Sequence, residues 1–152
     1  MLKKITIISC ALLCILCITA CRTPKSTIAA NDEPLALQKE QVWQLTTMRG
    51  KPTKARITIS FNTEASTLSG QATCNTYGAD CRLSYSTSSP QGCLYNIAVA
   101  NLSSGPTLCP EADMNVETRF LSLLAKADAL LLTPYNLTLL QNDKEILHFE
   151  LR

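Results

Sequence analysis

Three kinds of residue in this chain have the types and spacing to do chemistry: cysteines, a lone histidine, and acids carried on one helix-like stretch. The chain holds eight cysteines and a single histidine. His148 is that histidine, so any Ser-His-Asp or Cys-His arrangement would have to use it. It alternates out of phase with Leu147 and Phe149, which directs it to solvent or to the outer side of a sheet. Asp113, Glu117 and Asp128 could supply a carboxylate pair for glycoside chemistry. On a helix of this composition they read instead as a solvated face and a complement to the N-terminal dipole. No Gly-rich phosphate loop, G-x-S-x-G or H-E-x-x-H occurs in the sequence. The chain reads as a non-enzyme.

Cys21 is different, because its neighbours specify a reaction. Lys3 and Lys4 make a basic start, Ile5 to Thr19 runs without a charge, and Ala20 precedes the cysteine. Arg22, Thr23, Pro24 and Lys25 then turn the chain polar, which is the layout of a secretory signal peptide. The apolar stretch is too short for a bilayer span, which needs ~20 residues. Ile18-Thr19-Ala20-Cys21 resembles the bacterial lipobox. That resemblance implies a diacylglyceryl thioether on Cys21, cleavage before it, and acylation of the new amine by a chain such as palmitate. Each buried methylene contributes ~0.8 kcal/mol, and several chains together make the anchoring stable. Arg22 after the cysteine resembles an outer-membrane address. The expected location is the cell envelope, lipid-anchored at the outer membrane.

Beyond the leader, residues 21–152 suffice for one domain with one core. The leader carries Lys3 and Lys4 and no acid, so twelve basic and twelve acidic side chains remain and the formal charge is zero. No basic stripe marks a nucleic-acid partner. Cys10, Cys14 and Cys17 fall in the leader, and Cys21 is taken by lipid. Cys74, Cys81, Cys93 and Cys109 remain, an even number in a chain bound for an oxidising compartment, so two disulfides are expected. Four cysteines allow three pairings, and spacing does not choose among them. The spacings lack the C-x-x-C knuckle of a zinc site. Neither a metal nor a cofactor is expected.

The elements that must position these residues follow from periodicity. Residues 21–40 read as a flexible tether after the 1–20 leader, with Pro24 and Pro34 and no apolar period. Extended at ~3.1–3.5 Å per residue, it would reach ~50 Å from the bilayer. Strands are expected at 41–47, 55–61 and 67–72, the second with Ile57, Ile59 and Phe61 on one face. Segments 82–85 and 93–99 flank a Ser/Pro/Gly run, Ser86 to Gly92, that reads as a loop. A helix opens at Pro110, Glu111 and Asp113 and carries Val116, Phe120, Leu123, Leu124 and Ala127 at three- and four-residue spacing. Closing strands follow at 130–133, 137–141 and 146–151, with Leu147, Phe149 and Leu151 on the inward face. The sum is an antiparallel α+β domain with a single helix.

The order of these pieces is itself a signature. Trp43-x-Leu45, Gly50 and an Ile-x-Phe strand lead into Ser69-Gly70-x-x-x-Cys74-Asn75-x-Tyr77. Cys109-Pro110, Glu117-x-x-Phe120-Leu121-x-x-Leu124, Leu137-x-Leu139 and Leu147-x-Phe149 complete it. This order resembles the META/HslJ domain family over residues 41–152. The resemblance implies a small antiparallel curved sheet or incomplete barrel with one packed helix. It also implies that Cys74 pairs with Cys109, which leaves Cys81 to pair with Cys93. The chain departs from the family in carrying Ala79 and Cys81 where a glycine and an aromatic are usual, and Ser104-Gly105-Pro106-Thr107 where a threonine is displaced.

Asn75, Tyr77 and Tyr95 are the candidates for a binding face, since an amide and tyrosine rings pair polar tips with contact area. The resemblance links the chain to envelope stress and drug tolerance. The function expected is a membrane-anchored protein-binding module with an envelope protein as partner. The alternative is a carrier that holds an apolar ligand or acyl chain in a half-barrel groove. Replacing Cys21 by Ala should shift the protein from the membrane to the soluble fraction and abolish labelling by radioactive palmitate. Retained labelling would disprove the lipid anchor.

Overall fold

Two tight turns show how local chemistry sets register. Arg49 and Gly50 both have positive φ (49° and 70°), as do Asn142 and Asp143 (50° and 60°). Each pair closes a two-residue hairpin, the geometry whose twist matches antiparallel strands. The computed structural model of the protein describes residues 35–39 and 41–152. The leader, Cys21 and the tether up to Pro34 lie outside the described residues.

In chain order the elements are β1 (Trp43–Met48), β2 (Lys51–Pro52), β3 (Thr58–Asn62), β4 (Thr67–Ala72), β5 (Asn75–Ser89) and β6 (Gly92–Ser104). Then come α1 (Glu111–Leu124), β7 (Ala129–Leu132), β8 (Asn136–Gln141) and β9 (Lys144–Leu151). From β3 onward each strand pairs antiparallel with the next, β1 pairs with β3, and β2 is a two-residue rider on β1. Decisively, β1 also pairs with β9, from Trp43↔Leu151 to Met48↔Leu147, with a register shift between Leu45 and Thr47. The eight strands therefore form a closed barrel. This corrects the expected curved sheet or incomplete barrel, although among the described residues the single helix and the antiparallel pairing stand. The closing ladder joins residues about a hundred positions apart, and nothing in either strand's alternation announces such a partner.

The long hairpin is a second correction. β5 and β6 run 15 and 13 residues, and Ser86 to Ser89 are strand rather than loop, with Thr87, Ser88 and Ser89 opposite Leu94, Cys93 and Gly92. Solvent-facing Ser and Thr suit a strand whose backbone is paired on one side, so their polarity does not end it. Ahead of β1, Leu35 is half-buried and Leu37 is buried against the barrel.

The inward faces follow the alternation. Ile57, Ile59, Phe61, Leu137, Leu139, Leu147 and Phe149 are all buried, whereas Leu151, at the end of the closing ladder, is exposed. Helix α1 begins after Pro110 with Glu111 and Asp113 in its first turn, as the dipole favours. It drives Phe120 into the core, edge-on to Tyr77 at 5.3 Å and to Phe149 at 6.5 Å between ring centroids. Phe120 thereby joins the helix to β5 and β9 at once.

Gly70 on β4 is required by close approach. A Cβ there would collide with the Thr58 carbonyl and lie 2.9 Å from the Tyr77 hydroxyl, which donates a 2.8 Å hydrogen bond to that same carbonyl. Phe120→Ala should cost ~3–5 kcal/mol in urea unfolding, and Gly70→Ala ~2–3 kcal/mol through overpacking. A loss below ~1 kcal/mol for either would contradict this packing.

Candidate functional site

The barrel has two working ends, because the β3–β4 and β4–β5 turns lie at opposite ends of β4. The β4–β5 end is built around the motif residues. Thr73 sits at φ +23°, a costly region for a β-branched residue. Its hydroxyl shares its one proton between the Asp113 carbonyl and Glu117 Oε2, both at 3.2 Å. Cys74 is disulfide-bonded to Cys109, with Cα atoms 6.6 Å apart, as the family resemblance implied. Asn75, buried beside it, donates from Nδ2 to Glu117 Oε1 (3.0 Å) and to the Thr107 carbonyl (3.2 Å). Its Oδ1 accepts from the Thr107 backbone N–H at 3.0 Å.

Together these bonds fasten the turn, the β6–α1 loop and the helix into one node. Glu117 is the correction here, for it is 7% exposed and hydrogen-bonded inside rather than part of a solvated face. Asp113 and Asp128 are exposed. The departure in the loop before Cys109 has little effect on this node, because Thr107 contributes backbone atoms and not its side chain. Tyr77 is core as well: it is buried, and burial pushes its phenol far above the ordinary range. Asn75 and Tyr77 are therefore both buried, Asn75 in the node and Tyr77 in the core, and Tyr95 is separate from both.

The β3–β4 end carries a groove of about 520 Å³. Phe61, Leu83, Tyr95 and Leu37 give it apolar walls, Arg82 a charge, and Cys81 a thiol. Tyr95 donates its hydroxyl to the Leu35 carbonyl, and the Leu35 N–H lies 3.2 Å from Cys93 Sγ, so the lead-in crosses this mouth. Burial raises the Tyr95 phenol, helped by Cys93 and then Tyr85. Tyr85 meets Tyr95 edge-on at 5.8 Å and is 48% exposed.

Beside the groove, β5 outruns its neighbour. Pairing with β4 ends at Asp80 opposite Thr67, and the Cys81 N–H still reaches the Ser66 carbonyl. Among the described residues, the strand pairs only with β6 from Arg82 to Ser89. A sequence reading could not find this edge, since it arises from the offset between two ladders. His148 is half-buried, its Nδ1 2.8 Å from Thr138 Oγ1 across the β8–β9 pair.

The second expected disulfide is absent. Cys81 and Cys93 are both free and buried. Cys81 pairs across the hairpin with Val99, six positions along β6 from Cys93, about 20 Å at ~3.3 Å per residue. That is far beyond the reach of a disulfide, which needs Cα atoms within ~7 Å. The resemblance left these two as a remainder, and register decides against joining them.

A small closed barrel, latched to one helix by a disulfide and a buried Asn–Glu node, defines the class of protein. A META domain family model matches residues 35–152, and the chain belongs to that family. One NMR structure is similar at 22% identity and TM-score 0.51, over 74% of this chain and 90% of that one. An NMR structure of a protein from Burkholderia xenovorans is similar at 20% identity and TM-score 0.52, over 75% of this chain and 83% of its own. At these identities the likeness shows the fold. No curated protein matches the chain.

Burial pushes the Cys81 thiol up to about 11, so it should resist alkylation at pH 8 in the native protein. Unfolding without reductant should expose both free thiols, and peptide mapping should recover Cys74 joined to Cys109. A peptide joining Cys81 to Cys93 would overturn the register described above.

Proposed function

We propose that the protein is a lipid-anchored, non-enzymatic envelope protein that binds an extended segment of another envelope protein along the free edge of β5. The observation that carries this reading is the run Arg82–Ser89, strand-shaped and, among the described residues, unpaired on the side away from β6, beside a groove with apolar walls. Closing a barrel normally removes sheet edges. An exposed edge can add a strand, the main-chain bonds supplying affinity and neighbouring pockets reading alternate side chains. Phe61, Leu83 and Tyr95 would take apolar side chains, and Arg82 favours an acidic residue in the segment. Anchoring at Cys21, the outer-membrane location and the tie to envelope stress or drug tolerance belong to the same proposal and rest on the sequence resemblances.

The carrier reading retains one observation in its favour. The groove's volume falls within the ~300–1,000 Å³ typical of small-molecule sites. The barrel interior itself is filled by Trp43, Phe120 and Phe149, so a ligand would sit in the mouth and not in a half-barrel.

In-cell photo-crosslinking separates the two. Probes at Ser84 and Ser86 should each give a discrete protein adduct, whereas a probe at Asp143 in the β8–β9 turn should not. Lipid adducts alone at Ser84 would transfer the assignment to the carrier. Equal protein adducts at all three sites would remove the case for a binding edge.

A further inference from the structure

A second pocket, at the other end of the barrel, carries a different inference. It has a volume of about 220 Å³ and lies between the β6–α1 loop and the helix. Glu117 and Asn75 form its polar floor, and Leu121, Met114 and Leu108 line its apolar sides. Leu108 is 87% exposed and Met114 is 40% exposed, so the rim presents apolar surface to solvent. None of the residues lining this pocket is Lys, Arg or His.

The floor is anionic and incompletely used. A carboxylate offers about four acceptor positions. Glu117 Oε1 receives a hydrogen bond from Asn75, and Oε2 receives one from Thr73; both donors are neutral. Cys74 Sγ lies 3.9 Å from Oε2 but, being in a disulfide, has no proton to give. Among the described residues the one ion pair is Lys39 with Glu64. A buried carboxylate is costly unless charge or hydrogen bonds complete it. Among the described residues, two acceptor positions thus remain unfilled, and no cation is paired, on a carboxylate that lines an open pocket.

We propose that this pocket binds a primary ammonium group on a short apolar stem, with Glu117 as the acceptor of its protons. The volume lies below that of sites for drug-sized ligands, so it admits one short chain. The apolar sides match the stem, as aliphatic stems of lysine lie along apolar surface while the charge is held at the tip. The chemistry is shared by a free alkylamine and by a lysine side chain of a partner protein. The site stands apart from the β5 edge and does not depend on it.

The test uses the purified full chain, isotopically labelled, with backbone amide shifts of Thr107, Thr118 and Leu121 as the readout. Four probes are titrated: n-butylammonium against 1-butanol, and Nα-acetyl-lysine amide against Nα-acetyl-norleucine amide. The charged member of at least one pair should bind about ten-fold more tightly than its neutral partner, the difference a charge-assisted hydrogen bond supplies. Preference for butylammonium alone assigns a free amine, and preference for the lysine amide assigns a protein side chain. Glu117→Gln keeps the shape and should abolish the preference. If that variant fails to fold, the neutral comparators on the native chain still decide. Equal binding of charged and neutral probes, or no shifts at the three amides, overturns the proposal.

Discussion

Pairing of β1 with β9 is the constraint on which the rest depends. Five residue pairs join Trp43–Met48 to Leu147–Leu151, and they turn a sheet with two edges into a wall with an inside. Once closed, the alternation of every strand has one meaning: one side chain in two faces a common interior. Trp43, Leu45, Phe149 and Leu147 come from the closing strands themselves and are almost wholly buried. Interior volume is then fixed by strand number, and the large rings must share it. Phe120 takes its place between Tyr77 and Phe149, edge to face, which suits the quadrupoles of three crowded rings. Trp43 is accommodated with its indole N–H unpaired among the described residues, a cost tolerated where the packing leaves no acceptor within reach.

Closure leaves the helix to be placed, and polar chemistry does that. Hydrophobic burial of Phe120, Leu123 and Leu124 pulls α1 onto the barrel but is indifferent to small slides along it. Directional bonds are not. Asn75 spends its amide on Glu117 and Thr107, while Thr73 spends its hydroxyl on Glu117 and Asp113. The disulfide between Cys74 and Cys109 spans 35 residues of sequence and removes freedom from the unfolded chain, worth ~3–4 kcal/mol in the chain-entropy picture. Gly105 completes the fit, since a Cβ there would lie 2.9 Å from Asn75 Oδ1. Thr73 can hold its unfavourable φ because three attachments surround it.

Shear between strands creates the outer features. β4 meets the base of the long hairpin, at Asn75–Asp80, whereas β7 meets its tip, at Cys93–Asn96. The two halves of the hairpin are thus each covered on one side only. One consequence is the free stretch of β5 beside the groove. Another is the opening beyond β6, next to which the loop to α1 and the Glu117 pocket lie. Ala36 and Leu37 of the lead-in line one end of the groove.

Much of this was legible in the residues alone. The inward sets Ile57-Ile59-Phe61 and Leu137-Leu139-Phe149, the helix start at Pro110, and the identity of the motif depend on neighbours within a few positions, where side-chain period and turn chemistry act directly. The family resemblance added the Cys74–Cys109 bond. Other features depend on partners that no local window contains. Whether Leu45 faces Phe149, whether Ser86–Ser89 has a strand beside it, and whether Cys81 can reach Cys93 are questions of register between distant segments. Glu117 shows the limit most clearly: its spacing on the helix suits a solvated acid, and only the arrival of Thr73 from the β4–β5 turn and Asn75 from β5 turns it inward. The sequence by itself determined which faces are apolar and where the helix begins, because those choices are settled by local energetics. Tertiary structure alone decided closure, pairing and burial of polar groups, because those energies are shared between residues that meet only after the chain has folded.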